Sequence, residues 1–282
     1  MVAVGVGLAL VAAALHGTWN VLVKVSGDPL ATFRRATLMS AVVATLVLVP
    51  ELFFLGRPAV SLPAVGLCCV SSVLETTYLV LLSIAYRRGE LSAVYPIARG
   101  SAPLLAVLVG LVLLGEKLST VQLVGVALLL VGILAVTFAQ ATGRATLPAL
   151  LTGVAIASYT SIDRIGVRLT APWFYGWLLF TLMALELPLV LAVLSRFVAD
   201  ARGRDQLAWG KAGVIGAFMW AGYFLVLWAL SLAPLAVVAP VRETALVAVA
   251  VWGVWRLGER GQAGWKLSGA VATLAGVALL AV

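Results

Sequence analysis

Apolar residues run through this chain in stretches of about 20, each long enough to cross roughly 30 Å of hydrocarbon as an α-helix. Ten such stretches are legible, at 2–23, 33–55, 63–86, 92–114, 118–139, 148–169, 173–195, 208–231, 234–256 and 263–282. Short polar or Gly/Pro punctuation separates them: Gly27, Asp28 and Pro29; Gly56, Arg57 and Pro58; Arg87 to Glu90; Gly115, Glu116 and Lys117; Gly258, Glu259 and Arg260. The short alternating segments of a β-barrel are not visible. The longest polar interval, from Arg196 to Leu207, is too small for a domain. Function must therefore reside inside the helices, and the predicted fold class is an all-α integral membrane protein with ten transmembrane helices.

The pattern also repeats. RGSAPLLAVLVGLVLLGEK, from Arg99 to Lys117, aligns without a gap on RETALVAVAVWGVWRLGER, from Arg242 to Arg260, at an offset of 143 residues. Gly125 and Gly132 recur as Gly269 and Gly276, Tyr78 recurs as Tyr223, and Asn20 falls on Asp163. The chain thus divides into two five-helix repeats, 1–143 and 144–282. An odd number of helices per repeat makes successive copies enter the membrane in opposite senses. The sequence repeat is therefore read as an inverted structural repeat, with a substrate site expected between the halves near the bilayer midplane.

Composition agrees: 63% of residues are hydrophobic and 11% charged, against about a quarter charged in soluble domains. The formal net charge of +8 does not point to nucleic acid, because the basic residues lie singly or in pairs between spans. They gather in the odd-numbered loops (Lys24, Arg34, Arg35, Arg87, Arg88, Arg144, Arg196, Arg202, Arg204, Lys211, Arg256, Arg260, Lys266), while the even loops hold Arg57, Lys117 and Arg168. The positive-inside rule then puts both termini outside the cytoplasm. No cleavable signal is expected, since no basic residue precedes the first apolar run. Cys68 and Cys69 are adjacent and lack metal-ligand spacing, so they read as small packing residues. No metal site and no cofactor are predicted.

Charge inside a membrane is costly, so intramembrane ionisable residues are the first candidates for function. They are Glu75, Arg99, Asp163, Arg164, Glu186, Arg242 and Glu243, accompanied by His16 and Asn20. Several share a helical face at i and i+3 or i+4: His16 with Asn20, Tyr159 with Asp163, Tyr95 with Arg99, Glu75 with Tyr78, and Trp220 with Tyr223. These pairs correspond across the repeat, so a cavity on the pseudo-two-fold axis would be walled by all of them and by Trp19. Arg99 and Arg242 would hold an anionic group bidentately. Alternatively Glu75, Glu243 or Asp163 neutralises the arginines, which then lock or gate the bundle. Glu186, near Pro188, reads as structural; Arg164 reads as reaching the interface by snorkelling. The Gly-Glu pairs at 115–116 and 258–259 read as helix-ending turns. Prolines at 96 and 103, and at 234 and 240, are expected to interrupt the fourth and ninth helices. Small residues at Gly213, Ala217 and Ala221 offer the eighth helix a close-packing face.

Ten short helices in two halves, each closing with Gly-Glu-Lys/Arg before a Gly-rich last helix, resemble the drug/metabolite transporter (DMT) superfamily, and within it the EamA-like family. The residues carrying the likeness are His16, Gly17, Thr18, Trp19, Asn20 and Lys24, the run YPIARGSAPLLAVLVGLVLLGEKL from Tyr95, and the echo ending Gly258, Glu259 and Arg260. The resemblance implies a bacterial inner-membrane exporter or exchanger, a monomer or weak homodimer, whose cavity is formed by helices 1, 3, 4, 6, 8 and 9. It also implies cytoplasmic termini, against the loop charges.

Four functions compete. The first is a secondary transporter moving a small amphipathic or zwitterionic to anionic, amino-acid-like metabolite by alternating access, with protons as a candidate coupling ion through Glu75 or Asp163. No GxxxxGK[ST] motif is present for ATP to drive it. The second is a proton-coupled multidrug cation antiporter, which two arginines in the cavity oppose. An intramembrane enzyme lacks HExxH-like or paired-Asp signatures. A structural or receptor role predicts no cavity between the repeats.

Overall fold

The computed structural model describes residues 1–88, 91–138, 146–196, 207–245 and 263–281, and among them there is helix and no strand. The helices are α1 (Val2–Val25), α2 (Pro29–Phe54), α3 (Leu62–Arg88), α4 (Leu91–Leu108), α5 (Thr120–Phe138), α6 (Thr146–Gly166), α7 (Pro172–Leu194), α8 (Trp209–Leu232), α9 (Leu235–Arg242) and α10 (Ala263–Ala281). Five of them, α1, α2, α3, α7 and α8, are each long and apolar enough to span a bilayer. The protein is an integral membrane protein.

Local chemistry explains where the helices begin and break. α2 starts four residues before the apolar run because Asp28 caps it, accepting from the Leu30 and Ala31 N–H groups at 3.0 Å, with Pro29 in the first turn. Arg34 and Arg35 consequently sit inside the helix rather than in the loop. Gly27, Gly56 and Gly115 take left-handed backbone angles (φ of 100°, 81° and 63°) at turns, which explains the glycine at each. Pro96 and Pro103 do not end α4, contrary to the expected interruption; the irregularity falls at Val109–Leu113, a π-helical turn. In α9 the expected interruption occurs. The helix stops at Arg242, two residues beyond Pro240, and the Glu243 N–H reaches back to the Pro240 carbonyl at 3.1 Å.

α3 packs on α6 and α7, α1 on α8 and α9, α2 on α7 and α8, α4 on α6 and α9, and α5 on α10. Replacing each helix by the one five places along turns this set of partners into itself. The α5–α10 contact is made backbone to backbone. A Cβ on Gly132 would lie 2.5 Å from the Gly269 carbonyl, and one on Gly276 would lie 2.6 Å from the Gly125 carbonyl. Residues rising along one helix meet residues falling along the other, so the two run antiparallel. On α8 the tight contact is Gly216 against Ala36 and Ser40 of α2, at 2.5 and 2.8 Å from a built Cβ, whereas Gly213 faces open space. The spacing of small residues pointed to a neighbouring face of the same helix.

The outer surface is apolar, with Phe53, Phe54, Leu185, Leu189, Val271 and Leu274 all exposed. The interior holds polar residues, including Arg99, Arg242, Glu243, Asp163, Glu75 and His16. Such an arrangement suits a hydrocarbon solvent, where apolar side chains have no reason to turn inward.

Candidate functional site

Six of the sequence-selected residues line one cavity at mid-helix: His16 and Trp19 from α1, Glu75 and Tyr78 from α3, Tyr159 from α6 and Tyr223 from α8. Leu79, Phe180, Met183 and Met219 complete its wall. The aromatic rings meet edge to face, Tyr78 with Tyr159 at 5.7 Å between centroids, Tyr159 with Tyr223 at 5.8 Å, and His16 with Tyr223 at 6.3 Å. This is the packing their quadrupoles favour. The open volume is about 20 Å³, room for one water molecule. In this conformation the chamber is too small to hold a metabolite.

Two polar atoms of its lining lack hydrogen-bond partners among the described residues: Oε1 of Glu75 and Nε1 of Trp19, on residues that are 5% and 3% exposed. One is an acceptor and the other a donor. A buried polar atom without a partner costs about 1–3 kcal/mol, so each marks a place where something polar is wanted. His16 is oriented by its own helix, with Nδ1 donating to the Ala12 carbonyl at 2.8 Å. That bond leaves Nε2 as the ring's other polar atom.

Behind the cavity lies a charge cluster. Arg99 sits eight residues into α4 and Arg242 seven into α9, about 12 and about 10 Å from the helix starts at 1.5 Å per residue. Both guanidinium groups converge on Glu243, Arg99 at 3.1 and 3.4 Å from its two oxygens and Arg242 at 3.0 Å. Neighbouring residues of a regular helix do not face each other; the break after Arg242 lets Glu243 turn back onto it. Arg99 also donates to the Tyr78 hydroxyl at 3.3 Å and lies 5.9 Å from the Trp19 ring centre, and Arg242 donates to Thr160 at 3.4 Å.

Asp163 stands to one side, accepting from Ser71 and Tyr175 at one oxygen and from Tyr223 at the other. Tyr223 lines the chamber beside Glu75, which links Asp163 to it. Asn20 points elsewhere. Its oxygen accepts from Tyr86 at 2.9 Å and its amide donates to the His16 carbonyl at 2.8 Å. Trp220 stacks on Phe224 at 5.1 Å, on another side of α8, and is not in the cavity wall. The side chain of Tyr95 lies outside the described residues.

Glu186, expected to be structural, accepts from Ser72 at 2.7 Å and Thr76 at 3.2 Å and so ties α7 to α3. Arg164 does not snorkel: it is largely buried, bonded to Glu116 at 3.0 Å and to the Leu230 carbonyl. Glu116 does more than end a helix. Its oxygens accept the Leu235 and Ala236 N–H groups at 2.7 and 2.9 Å, capping α9 from the other half of the chain. Among the site residues that sequence reasoning passed over, Ser71 carried a signal, lying i−4 from Glu75 on the same face. Tyr175, Phe180, Met183 and Met219 carried none, since an aromatic or thioether in an apolar run reads as lipid contact or core.

No protein of curated function matches the chain. Solved structures do resemble it. One, described only as the crystal structure of a protein, has a TM-score of 0.72 and 14% identity, covering 98% of this chain and 95% of its own. At that identity the likeness establishes the fold alone. Residues 3–138, the whole first set of five helices, match the model of the EamA-like transporter family. Through that match on α1 to α5, the first half of the chain is similar to the EamA-like transporter family.

Proposed function

We propose that this protein is a secondary transporter that carries a small amphipathic, amino-acid-like metabolite across the bacterial inner membrane, by export or exchange. The observation that carries the reading is the chamber itself, aromatic, narrow, at mid-helix, and lined by a donor and an acceptor that no described residue satisfies. A cargo with an apolar body and both kinds of polar group fits that lining. Met183 and Met219 in the wall suit cargo of varied shape, because thioethers repack at little cost.

The two halves, 1–143 and 144–282, are taken as inverted repeats that rock about the chamber, exposing it first to one side and then to the other. The exchange symmetry of the helix partners and the antiparallel α5–α10 seam support this assignment. Each half contributes to the wall, α1 and α3 from one and α6, α7 and α8 from the other.

Counterflow into proteoliposomes tests the reading. A panel of amino acids, phosphonates, sugar phosphates and lipophilic cations is presented outside while the same compound is loaded inside. At least one member should enter faster than into protein-free liposomes, and Trp19→Phe, which keeps an aromatic side chain but removes the N–H along with the second ring of the indole, should weaken it about tenfold. If no member of the panel moves faster with protein than without, the transport reading is wrong.

A further inference from the structure

We propose that the chamber recognises its cargo through a cationic nitrogen, an ammonium group held on Glu75 and faced by the rings of Trp19, Tyr78, Tyr159 and Tyr223. The proposal rests on the transport reading and adds the chemical class of the cargo.

Carboxylate accounting leads to it. Among the described residues, five carboxylates bear on the bundle interior: Glu75, Glu116, Asp163, Glu186 and Glu243. Asp163 has hydroxyl donors on both oxygens, Glu186 has Ser72 and Thr76, Glu116 has two backbone N–H groups and Arg164, and Glu243 has two guanidinium groups. Among the described carboxylates Glu75 alone keeps a buried oxygen without a partner, and it is the one that lines the cavity. An ionised carboxylate without a partner in a dry interior is costly, and a cation against it removes that cost.

The cations of the site are already committed. Arg99 and Arg242 are bonded to Glu243 and do not line the cavity, so a carboxylate or phosphate on the cargo meets neither guanidinium in its wall. The two arginines therefore serve the scaffold. Glu243 has the place that a cargo anion would need.

The rings complete the recognition. Trp19, Tyr78, Tyr159 and Tyr223 line the same cavity as Glu75, and aromatic rings around a cation attract ammonium and methylated ammonium groups through their electron-rich faces. A neutral analogue would gain neither the ion pair nor the ring attraction. An acid without an amine would meet Glu75 as a like charge.

Three probes that share one apolar body separate the cases: phenethylamine carries the amine alone, L-phenylalanine carries amine and carboxylate, and 3-phenylpropionate carries the acid alone. Their binding to purified protein in detergent is measured by isothermal titration calorimetry, and their counterflow in proteoliposomes is measured in parallel. The amine and the amino acid should bind, and the acid should bind at least about tenfold more weakly. Glu75→Gln should lower affinity for phenethylamine by about tenfold or more, with its unfolding temperature checked alongside. The order of the three probes on the unaltered protein tests the proposal even if that variant fails to fold. Equal or tighter binding of the acid, no binding by any of the three, or unchanged amine affinity in folded Glu75→Gln would each overturn it. Amine binding without counterflow would sink the transport reading and leave the ammonium site standing. Counterflow of the acid and not the amine would do the reverse.

Discussion

Among the described residues, the Arg99 and Arg242 guanidinium groups share one carboxylate, Glu243, and that sharing orders the effects of changing them. Arg99 and Arg242 are 1% and 2% exposed, so neither can take its charge to water. Removing one partner from a buried ion pair costs about 3–5 kcal/mol because a charge is left uncompensated. Glu243→Gln strips both arginines at once and should be the most damaging change in the cluster. Arg99→Gln leaves Glu243 still bonded to Arg242, and Arg242→Gln leaves it bonded to Arg99. The expected order of lost stability is Glu243→Gln well above either arginine variant, read as unfolding temperature of the purified protein in one detergent. If Arg99→Gln proves as destabilising as Glu243→Gln, the sharing of one carboxylate is not what holds the cluster. Sequence spacing identified all three residues as intramembrane charges. Their mutual pairing hung on the break in α9, which lets adjacent residues face each other, and no helical periodicity reports that.

At the level of helices, the glycines separate close packing from chance. A methyl group on Gly132 would lie 2.3 Å from Thr273 Oγ1 and 2.5 Å from the Gly269 carbonyl, so Gly132→Ala must push α5 away from α10. Overpacking of this kind costs about 1–3 kcal/mol. Gly213→Ala, on α8, meets nothing within 4 Å and trades a flexible residue for the best helix former, for a gain of up to about 1 kcal/mol. Thermal unfolding of the two variants should therefore shift in opposite directions. The repeat in the sequence singled out Gly132 correctly, because contact across a seam of like helices requires the same small residues in both copies. Gly213 was singled out by four-residue spacing alone, which a chain with 27 glycines produces freely. Glu116 makes the same point for caps. Its place after a turn glycine was legible, but the helix it caps lies 119 positions along the chain from it. Glu116→Ala should cost about 0.5–2 kcal/mol as a lost cap, and somewhat more if Arg164 finds no substitute for the pairing.

For the molecule as a whole, ten apolar runs and one repeat were enough to anticipate the α-helices of the described residues, except that the ninth run breaks after Arg242, and the partition of polar residues inward. Burial inside a membrane depends on polarity, and polarity is written in the sequence. The shape of the chamber was less legible, since Phe180, Met183 and Met219 enter it from helices whose apolar patterns face every direction. The same architecture makes a prediction about motion. Glu116 and the π-turn at Val109–Leu113 hold the first turn of α9 on one face of the bundle, so an alternating-access cycle has to part them when that face opens. A Cβ on Gly110 would lie 3.2 Å from that of Ala236, slightly inside the usual disulfide separation of about 3.5–4.5 Å. A Gly110→Cys/Ala236→Cys variant, with Cys68 and Cys69 replaced by Ala, should therefore cross-link under mild oxidation, with the Glu116 carboxylate displaced. Oxidised protein should bind cargo no faster than the chamber opens elsewhere and should lose counterflow, and a reductant should restore it. Either single cysteine, treated identically, should be insensitive to oxidant. Full counterflow with the cross-link in place, verified by mobility on a non-reducing gel, would mean that α9 and the π-turn move as one body and that the chamber opens by another route.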